Sequence, residues 1–592
     1  MKWAIDDPAR FLRERAEVER LEREEGWLTS AWTIGDGGSI AVDIDITVHG
    51  RTYEGRLIYP DVFPNSPPFI RPRDESELWS GHQYGAGGSL CLQWRADNWQ
   101  PEVTGADMIR SAHELLNTEK DPEHPQPVPS AHRLTSGQEL RVARRRLVAT
   151  QGLLQACCDQ PMPSITDFQV VTMYSIGTSL TRVLFVPEIS DAFGLKHEVP
   201  DVPKGIADSI RLFRITGPGR LVRNEAFDQP VRISNIDDLV KALSDLGMSP
   251  SEILQQEAGK YTSMTVALLG TEASSLRVLS VDGSAAEVKL TEVDVIHPPI
   301  IDVRIPIDSA KIASLRIGIV GLGSIGSKIA ISLARSGAKR FLLVDDDYLV
   351  PGNMVRHELS WENVGVHKVD ALREQLALIA PGVEADTRLT RISGQESATA
   401  AAAALKDLAD CDVLIDATAN PEVFLTLAAI AKQNQKPLCW GEVFAGGYGG
   451  LMARARPDID PNPLAVRDAL YAHLETLPPA PFQRAAGYDV GQDEPLLAHD
   501  SDVGFVASAM TRLVIDTALK RNPSDFPHAI YLMGLRAEWI FAEPFDTHPI
   551  DAHGRGWAVE GESASQEDRI AVVGMLLKLH EGATGADSDP AA

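Results

Sequence analysis

Residues 316–347 read RIGIVGLGSIGSKIAISLARSGAKRFLLVDDD, and this stretch decides the fold of the C-terminal half of the chain. Its first part, Arg316–Val320, is mostly apolar and predicts a buried strand, and residues 327–336 have the apolar spacing of a helix. A second apolar run, Arg340–Val344, predicts another strand. Because a glycine-rich segment joins the first strand to the helix, the stretch predicts a parallel βαβ unit.

The same alternation continues beyond this unit. Residues 368–379 predict a helix and residues 412–415 a further strand. We therefore expect residues 306–580 to form a doubly wound, Rossmann-like α/β domain. Residues 581–592 are polar and are expected to be a disordered tail.

The glycine-rich segment predicts a nucleotide site. Gly321, Gly323 and Gly326 lack side chains, so a phosphate can approach the backbone N–H groups at the positive end of the helix dipole. A nicotinamide-dependent oxidoreductase would use the same loop, and Asp345 stands where an acid commonly takes a ribose hydroxyl. The loop by itself leaves the type of nucleotide open.

Polar residues after the second strand favour a triphosphate. Asp347, Asn353, Arg356 and Lys368 follow Asp345 in a region that a dehydrogenase would not need. Two cations and an amide near the phosphates suit the attack of a carboxylate on the α-phosphorus, because negative charge builds up on that phosphate in the transition state. Adenylation fits this set better than hydride transfer.

Residues 316–455 resemble the ThiF-type adenylating domain shared by ubiquitin-activating enzymes and bacterial sulfur-carrier activators. The family pattern D-x-D, N-x-x-R and K is matched by Asp345, Asp347, Asn353, Arg356 and Lys368. The resemblance implies ATP and Mg²⁺ as cofactors and a homodimer. It also implies that the C-terminal carboxylate of a ubiquitin-like protein is joined to AMP, with release of pyrophosphate.

The chain departs from that family at two points. Residues 416–420 read DATAN, so Ala419 stands where the family has the acid linked to magnesium. We expect Asp416 to be the metal ligand instead, with an altered dependence on metal as the alternative. Ubiquitin-activating enzymes carry a cysteine after the sheet, but residues 452–592 contain none. Cys439 ends an apolar run and is expected to be buried, with a relay thiol as the alternative.

A second motif surrounds Cys91. Cysteine reacts as the thiolate, and a glycine-rich loop with polar neighbours is typical of a reactive thiol. The motif comprises Phe63-Pro64, Pro67-Pro68, His82, Gly88, Cys91-Leu92 and Trp99-Gln100-Pro101.

In this order the motif resembles the hallmark residues of ubiquitin-conjugating enzymes. The resemblance implies an α+β domain over residues 1–148 and a thioester-forming nucleophile at Cys91. Tyr84 replaces an asparagine that supports the oxyanion in the family, so Tyr84 or a backbone N–H is expected to supply that donor. His82 is expected to stabilise the loop, with a role as general base as the alternative.

Composition narrows the class of partner. The formal net charge is -27, from 83 acidic and 56 basic residues, which disfavours a broad nucleic-acid-binding face. The five cysteines are too sparse for a disulfide framework and indicate a reducing compartment. Because the sequence shows neither a signal peptide nor an apolar run of about 18 residues, we expect a cytoplasmic protein with no membrane span.

The order of the domains suggests a pathway on one chain. Residues 149–305 show short β-like runs without a recognised motif and are expected to form a β-rich spacer domain. A conjugating domain, a spacer and an activating domain in this order resemble the fusion enzymes of bacterial CBASS anti-phage operons. The resemblance implies a partner carboxylate, from a ubiquitin-like protein or the C-terminus of a cyclic-nucleotide synthase, and an acceptor amine such as lysine.

Two other hypotheses stay open at this point. One is a sulfur-carrier-type adenylyltransferase whose N-terminal domain only docks the partner. The other is a non-enzymatic scaffold with a decayed nucleotide site, which the alanine at position 419 would favour.

Overall fold

A computed structural model of the chain describes residues 2–35, 38–122, 145–176, 180–191, 193–208, 214–229, 231–257, 260–283, 288–298, 308–444, 447–479, 498–554, 556–557 and 565–585. The chain divides into two compact units, residues 1–142 and residues 143–592. None of the helices in the described ranges is long and apolar enough to traverse a lipid bilayer.

In the described residues of the first unit, an antiparallel sheet is combined with three helices. Its strands pair in chain order and are β1 Leu28–Ile34, β2 Ile40–Val48, β3 Arg51–Tyr59 and β4 Phe69–Pro72. Its helices are α1 Lys2–Asp6, α2 Pro8–Glu24 and α3 Gly105–Glu119. Every second residue of β2, including Val42, Ile44 and Ile46, is fully buried, because one face of the sheet forms the core with α2 and α3.

The second unit begins with a β-rich region. Its strands are β5 Arg145–Val148, β6 Ser164–Ile176, β7 Leu180–Ser190, β8 Lys196–Glu198, β9 Arg214–Arg223, β10 Gln256–Glu257, β11 Lys260–Tyr261, β12 Met264–Leu269, β13 Arg277–Asp282 and β14 Lys289–Ile296. Its helices are α4 Gln151–Cys158, α5 Lys204–Asp208, α6 Ile236–Asp245 and α7 Pro250–Ile253. Eight strands form one sheet in the order β5-β14-β13-β12-β9-β6-β7-β8, and β5 also pairs with β7, which closes the sheet on itself.

A second eight-stranded sheet forms the C-terminal region. Its strands are β15 Arg316–Val320, β16 Arg340–Val344, β17 Glu384–Arg388, β18 Val413–Asp416, β19 Leu438–Phe444, β20 Gly449–Ala455, β21 Ile530–Gly534 and β22 Thr547–Ile550, in the order β17-β16-β15-β18-β19-β20-β21-β22. The first five are parallel and β20 to β22 are antiparallel. The sequence predicts the parallel part but not the antiparallel edge, where β19 and β20 are joined by a short connection without a crossover helix.

Helices cover both faces of this sheet. They are α8 Ser309–Ser314, α9 Ser324–Arg335, α10 Lys368–Ile379, α11 Ala398–Ala409, α12 Pro421–Asn434, α13 Pro463–Thr476 and α14 Asp500–Ala518. A further helix, α15 Gln566–Gly585, follows β22 along the chain, and its apolar side chains such as Ile570 and Met575 are exposed. Ile319 and Leu343 pack with α9, α10 and α14, whereas their neighbours Val320 and Leu342 pack with α11, α12 and α13. Residues 586–592 of the expected tail lie outside the described residues.

The strand order creates a crevice at one edge of the sheet. From β15 the chain proceeds to β16 and β17 on one side, and then returns to β18 on the other side of β15. In doubly wound sheets such a reversal opens a crevice at the carboxyl ends of the two central strands, where ligands bind. The glycine-rich loop after β15 and the acid that ends β18 both lie at this place.

Candidate functional site

Three glycines form the turn between β15 and α9. Gly321 has a φ angle of +85°, which glycine adopts without steric cost. A Cβ atom on Gly321 would lie 2.6 Å from Cγ2 of Thr418, and one on Gly326 would lie 1.9 Å from the backbone oxygen of Gly321. On Gly323 a Cβ atom would meet nothing within 4 Å. Packing therefore requires the first and third glycines, whereas the space beside Gly323 is open.

The open space lies at the N-terminus of α9. Gly323 is the N-cap of this helix, and no side chain makes a capping hydrogen bond there. The N–H groups of a first helical turn carry partial positive charge. The turn can therefore receive a phosphate on backbone donors, as the sequence predicts.

The middle of the loop is held from two sides at Leu322. Oδ2 of Asp345 accepts a hydrogen bond from the Leu322 N–H at 2.6 Å, and Nε2 of His357 donates to the Leu322 carbonyl oxygen at 2.8 Å. Nδ1 of His357 accepts a hydrogen bond from the Leu359 N–H at 3.1 Å, which places the ring proton on Nε2. Burial lowers the pKa of His357, so the ring is neutral at neutral pH.

Asp345, Asp347 and Lys368 meet beside this loop. Nζ of Lys368, the first residue of α10, lies 2.7 Å from Oδ2 of Asp347 and 4.0 Å from Oδ1 of Asp345. The side chains of Lys368 and Asp345 are buried, whereas Asp347 is exposed. Burial raises the pKa of Asp345, and Lys368 and two backbone N–H donors oppose this shift. The lysine is thus fixed between two acids next to the glycine-rich turn.

Asn353 and Arg356 lie on the connection between β16 and α10. Asn353 belongs to a short 3₁₀-helix, Pro351–Val355, and its Oδ1 accepts a hydrogen bond from the Val350 N–H at 3.0 Å. Nη1 of Arg356 donates to the carbonyl oxygen of Ala498 at 3.3 Å, and the next residue is His357, which holds Leu322. The side chains of these two predicted residues are therefore positioned by contacts with backbone groups. Asp345, Asp347 and Lys368, in contrast, contact one another.

Asp416 ends β18 on the other side of β15. It is 3% exposed, and its Oδ1 accepts hydrogen bonds from Oγ1 and N of Thr418 at 2.6 and 3.0 Å. Burial raises its pKa, and the bonds from Thr418 oppose this shift. Ala419 has a φ angle of +53°, an uncommon conformation for a residue with a Cβ. Within the described ranges, no three His, Cys, Asp or Glu side chains form a group that could hold a metal ion.

Cys91 lies in the first unit with two polar side chains beside its sulfur. Nη1 of Arg95 lies 3.4 Å from Sγ of Cys91 and 3.3 Å from the hydroxyl oxygen of Tyr84. A hydrogen bond with Cys91 and burial both raise the pKa of Tyr84, which therefore stays protonated at neutral pH. Cys91 itself is half-buried.

The other residues of the Cys91 motif hold this loop in place. The Cys91 N–H donates to the carbonyl oxygen of His82 at 2.6 Å, and Nε2 of His82 lies 4.0 Å from Oε1 of Glu119. Nε1 of Trp99 donates to the carbonyl oxygen of Pro64 at 2.6 Å, which links the two ends of the motif. A Cβ atom on Gly88 would lie 2.1 Å from the backbone oxygen of Tyr84. His82 therefore contacts Cys91 through its backbone and Glu119 of α3 through its ring.

Three other thiols are protonated at neutral pH. As the sequence predicts, Cys439 is fully buried in β19, where its Sγ donates to Oγ1 of Thr517 at 3.8 Å. Burial raises the pKa of Cys439 to about 11 and those of Cys411 and Cys157 to about 12. A thiol that does not ionise is a poor nucleophile, so these positions suit packing.

Sequence reasoning did not identify His357 or Arg95. His357 follows the predicted Arg356 directly, and Arg95 is four residues after Cys91. Proximity along the chain was the one available signal, and it does not tell which of several neighbours turns toward the site. Both contacts depend on how a loop folds back on itself.

Comparison with known proteins identifies the C-terminal region. Residues 302–520 match the ThiF family, so the chain carries a ThiF domain in that region. Over 436 residues the chain is 24% identical to the uncharacterized protein y4qC of Sinorhizobium fredii, and this match spans 69% of this chain and 71% of that protein.

Two further similarities cover smaller parts. Over 125 residues the chain is 35% identical to the ATP-dependent ubiquitin transferase-like protein Cap2 of Enterobacter hormaechei, and this match spans 21% of the chain and only 20% of the length of Cap2. Among solved structures, Escherichia coli MccB with AMPCPP and selenomethionine MccA covers 42% of this chain and 66% of MccB, at 15% identity and a TM-score of 0.31.

Proposed function

We propose that this chain activates the C-terminal carboxylate of a partner protein with ATP and transfers the acyl group through Cys91 to an amine. The ThiF match of residues 302–520, with Asp345, Asp347 and Lys368 beside an open phosphate-binding turn, carries the first step. The similarity to Cap2, which is named as ubiquitin transferase-like, and the Cys91 motif support the second. In this proposal the chain is a bacterial ubiquitin-like conjugating enzyme of the CBASS anti-phage type.

The first step joins the carboxylate to AMP. A carboxylate oxygen attacks the α-phosphorus of ATP, the new O–P bond forms, and the bond from the α-phosphorus to the bridging oxygen breaks as pyrophosphate leaves. The N–H groups at the start of α9 would hold the phosphates. Lys368 and Arg356 would offset the negative charge that develops during the attack, and both sit on segments that contact the loop or its acid.

Asp416 is the residue that would hold Mg²⁺. Both hydrogen bonds from Thr418 fall on Oδ1, which leaves Oδ2 for a cation. One carboxylate fits this ion, because magnesium in nucleotide sites keeps several waters and takes its other oxygens from the phosphates. When bound, the ion would neutralise part of the negative charge of the phosphates.

The second step moves the acyl group to sulfur and then to nitrogen. The thiolate of Cys91 attacks the acyl carbon, the S–C bond forms, and AMP leaves with the electron pair of the broken C–O bond. An amine then forms the N–C bond and displaces the thiolate, and its surplus proton passes to water. Cys91 suits this step better than Cys439, which is fully buried with a pKa of about 11.

ATP–pyrophosphate exchange tests the activation step. The purified chain is incubated with ATP, labelled pyrophosphate and a candidate partner, either a ubiquitin-like protein or a cyclic-nucleotide synthase with its native C-terminus. We expect exchange that requires the partner's terminal carboxylate. If the chain catalyses no exchange with any of these partners, the result favours the scaffold hypothesis instead.

Mass spectrometry tests the transfer step. With ATP and partner, the wild-type chain should carry a partner adduct on Cys91 that thiol reductants remove, and Cys91→Ser should carry an oxyester that they do not remove. Cys439→Ser is the matched control and should behave as wild type. If Cys91→Ala completes the whole reaction at the wild-type rate, the chain is a sulfur-carrier-type adenylyltransferase whose N-terminal unit only docks the partner.

A further inference from the structure

One guanidinium nitrogen contacts both polar atoms of the Cys91 loop. Nη1 of Arg95 lies 3.4 Å from Sγ of Cys91 and 3.3 Å from the hydroxyl oxygen of Tyr84. A terminal guanidinium nitrogen carries two N–H bonds, so it can donate to both atoms at once. Nε of Arg95 also lies 4.0 Å from Oδ1 of the exposed Asp97. The Arg95 side chain is 19% exposed, which weakens the screening of its charge by water.

The turn that carries Arg95 is anchored to the body of the first unit. The Arg95 N–H donates to Oδ1 of Asn98 at 2.7 Å, and Nδ2 of Asn98 donates to the carbonyl oxygen of Gln93 at 2.8 Å. The Gln93 N–H in turn donates to Oγ of Ser111, a buried residue of α3, at 3.0 Å. This chain of hydrogen bonds fixes the backbone from which the guanidinium reaches the sulfur.

We propose that Arg95 is a catalytic residue for Cys91, an inference that rests on the thioester step proposed above. Its role is to stabilise the sulfur anion, which occurs twice in that step. The thiolate is the nucleophile when the acyl group arrives and the leaving group when an amine removes it. A cation fixed at 3.4 Å from Sγ lowers the energy of the anion on both occasions.

Tyr84 completes the arrangement. Its hydroxyl oxygen accepts from Arg95, and its raised pKa, to which the hydrogen bond with Cys91 contributes most, keeps the proton on this oxygen. Such a hydroxyl suits the oxygen of the acyl group, where negative charge develops while the tetrahedral centre forms and collapses. In this view Arg95 serves the sulfur, and Tyr84 takes the place of the asparagine that the motif lacks.

Alkylation of Cys91 tests the role of Arg95 without ATP or partner. The full chain is treated with iodoacetamide at pH 7, and the rate of modification of the Cys91 peptide is followed by mass spectrometry, with Cys91→Ala as the blank. We expect Arg95→Met to slow this rate about fivefold, because it removes the cation that lies 3.4 Å from the attacking sulfur, and Arg95→Lys to stay within about twofold of wild type. Arg110→Met, which removes an arginine paired with Asp107 on α3, is the matched control and should leave the rate unchanged.

Two further measurements make the result decisive. Raising KCl from about 0.05 to 1 M should slow alkylation of the wild-type chain about twofold, because salt screens the cation, and should have no such effect on Arg95→Met. The salt dependence of the wild-type chain is measured on the wild-type fold and is therefore informative even if a variant is destabilised. An Arg95→Met chain that melts as wild type and is alkylated at the wild-type rate would overturn the inference.

The outcome separates the inference from the proposed function. If the wild-type chain forms the Cys91 adduct but Arg95→Met is alkylated normally, the thioester step stands and the role of Arg95 falls. If Arg95→Met slows alkylation but no partner and ATP ever yield an adduct, the effect on the sulfur stands and the proposed function falls. Slower alkylation together with slower adduct formation in Arg95→Met would support both.

Discussion

Replacing His357 tests how the glycine loop is held. The ring of His357 bridges the Leu322 carbonyl oxygen and the Leu359 N–H at 2.8 and 3.1 Å, and it is 8% exposed. His357→Leu removes both bonds and leaves two backbone groups without these partners, at about 1–3 kcal/mol each. We expect the free energy of unfolding to fall by about 3 kcal/mol, because local relaxation lets water reach one of the two groups.

A glutamine provides the matched variant. In His357→Gln the amide nitrogen lies near the position of Nε2, so the bond to the Leu322 carbonyl is retained and the bond from Leu359 is lost. The expected loss of stability is then about 1–2 kcal/mol. Thermal unfolding followed by circular dichroism measures this order of stabilities.

The same variants should differ in nucleotide affinity. Leu322 belongs to the proposed phosphate-binding loop, so a loosened loop should raise the KM for ATP in pyrophosphate exchange. We expect an increase of about tenfold for His357→Leu, which corresponds to ~1.4 kcal/mol, and less than about threefold for His357→Gln. A purely structural role would lower stability without separating the two variants in KM.

The bridge also predicts a dependence on pH. Burial lowers the pKa of His357, the nearby Lys368 and Lys328 act in the same direction, and the Leu322 carbonyl and Glu358 oppose it. Because the unfolded chain takes up a proton more readily, the stability that the neutral ring contributes is complete above about pH 6.5 and is lost as the pH falls through the folded pKa. The advantage of wild type over His357→Gln in melting temperature should therefore shrink between about pH 7.5 and 5.5. A His357→Leu chain with wild-type melting and wild-type KM would refute the reasoning.

Three further predictions concern the glycine loop, its lysine and the buried thiol. Gly326→Ala places a Cβ atom 1.9 Å from the Gly321 oxygen and should lower both the melting temperature and the rate of pyrophosphate exchange. A Cβ atom on Gly323 meets nothing within 4 Å, so Gly323→Ala should keep its free energy of unfolding within about 1 kcal/mol of wild type but should weaken ATP binding. Equal melting temperatures of the two variants would contradict this prediction. Lys368→Met should reduce exchange at least about 100-fold because it removes the cation beside the phosphates, and Lys368→Arg should recover part of the activity; unchanged exchange in the methionine variant would remove the lysine from the mechanism. Cys439, with a pKa of about 11, should resist iodoacetamide at pH 8 in the native chain and react after denaturation, as peptide mass spectrometry would show; rapid native labelling would revive the relay thiol.

The periodic parts of the fold were predictable. The βαβ unit around residues 316–344 was predicted because apolar runs and a glycine-rich turn are local features that the chain expresses residue by residue. The antiparallel strands β20 to β22 were not predicted, because β20 follows β19 through a connection too short for a helix and β21 pairs with β20 from far away in the sequence. The pairing of β5 with β7, which closes the middle sheet, was not predicted either, because it also joins strands that are far apart in the sequence.

The candidate site divides in the same way. Asp345, Asp347 and Lys368 were predicted to act together, and they contact one another beside the glycine loop. The sequence did not predict that His357 and Asp345 hold the two sides of Leu322, because both bonds join segments more than twenty residues apart. The roles of all these residues in catalysis stay predictions until the exchange assays are done.

The sequence by itself determined the ThiF domain and the position of a candidate thiol at Cys91, because both rest on residue types at fixed spacing along a continuous segment. Only the tertiary structure decided which cysteines are buried and which side chain turns toward the sulfur. Burial depends on packing from distant segments, which encloses Cys439 in β19, and a loop held by α3 brings Arg95 to 3.4 Å from Sγ of Cys91. The ionisation of a thiol and its contacts are properties of that three-dimensional environment, and they cannot be read directly from the order of residues.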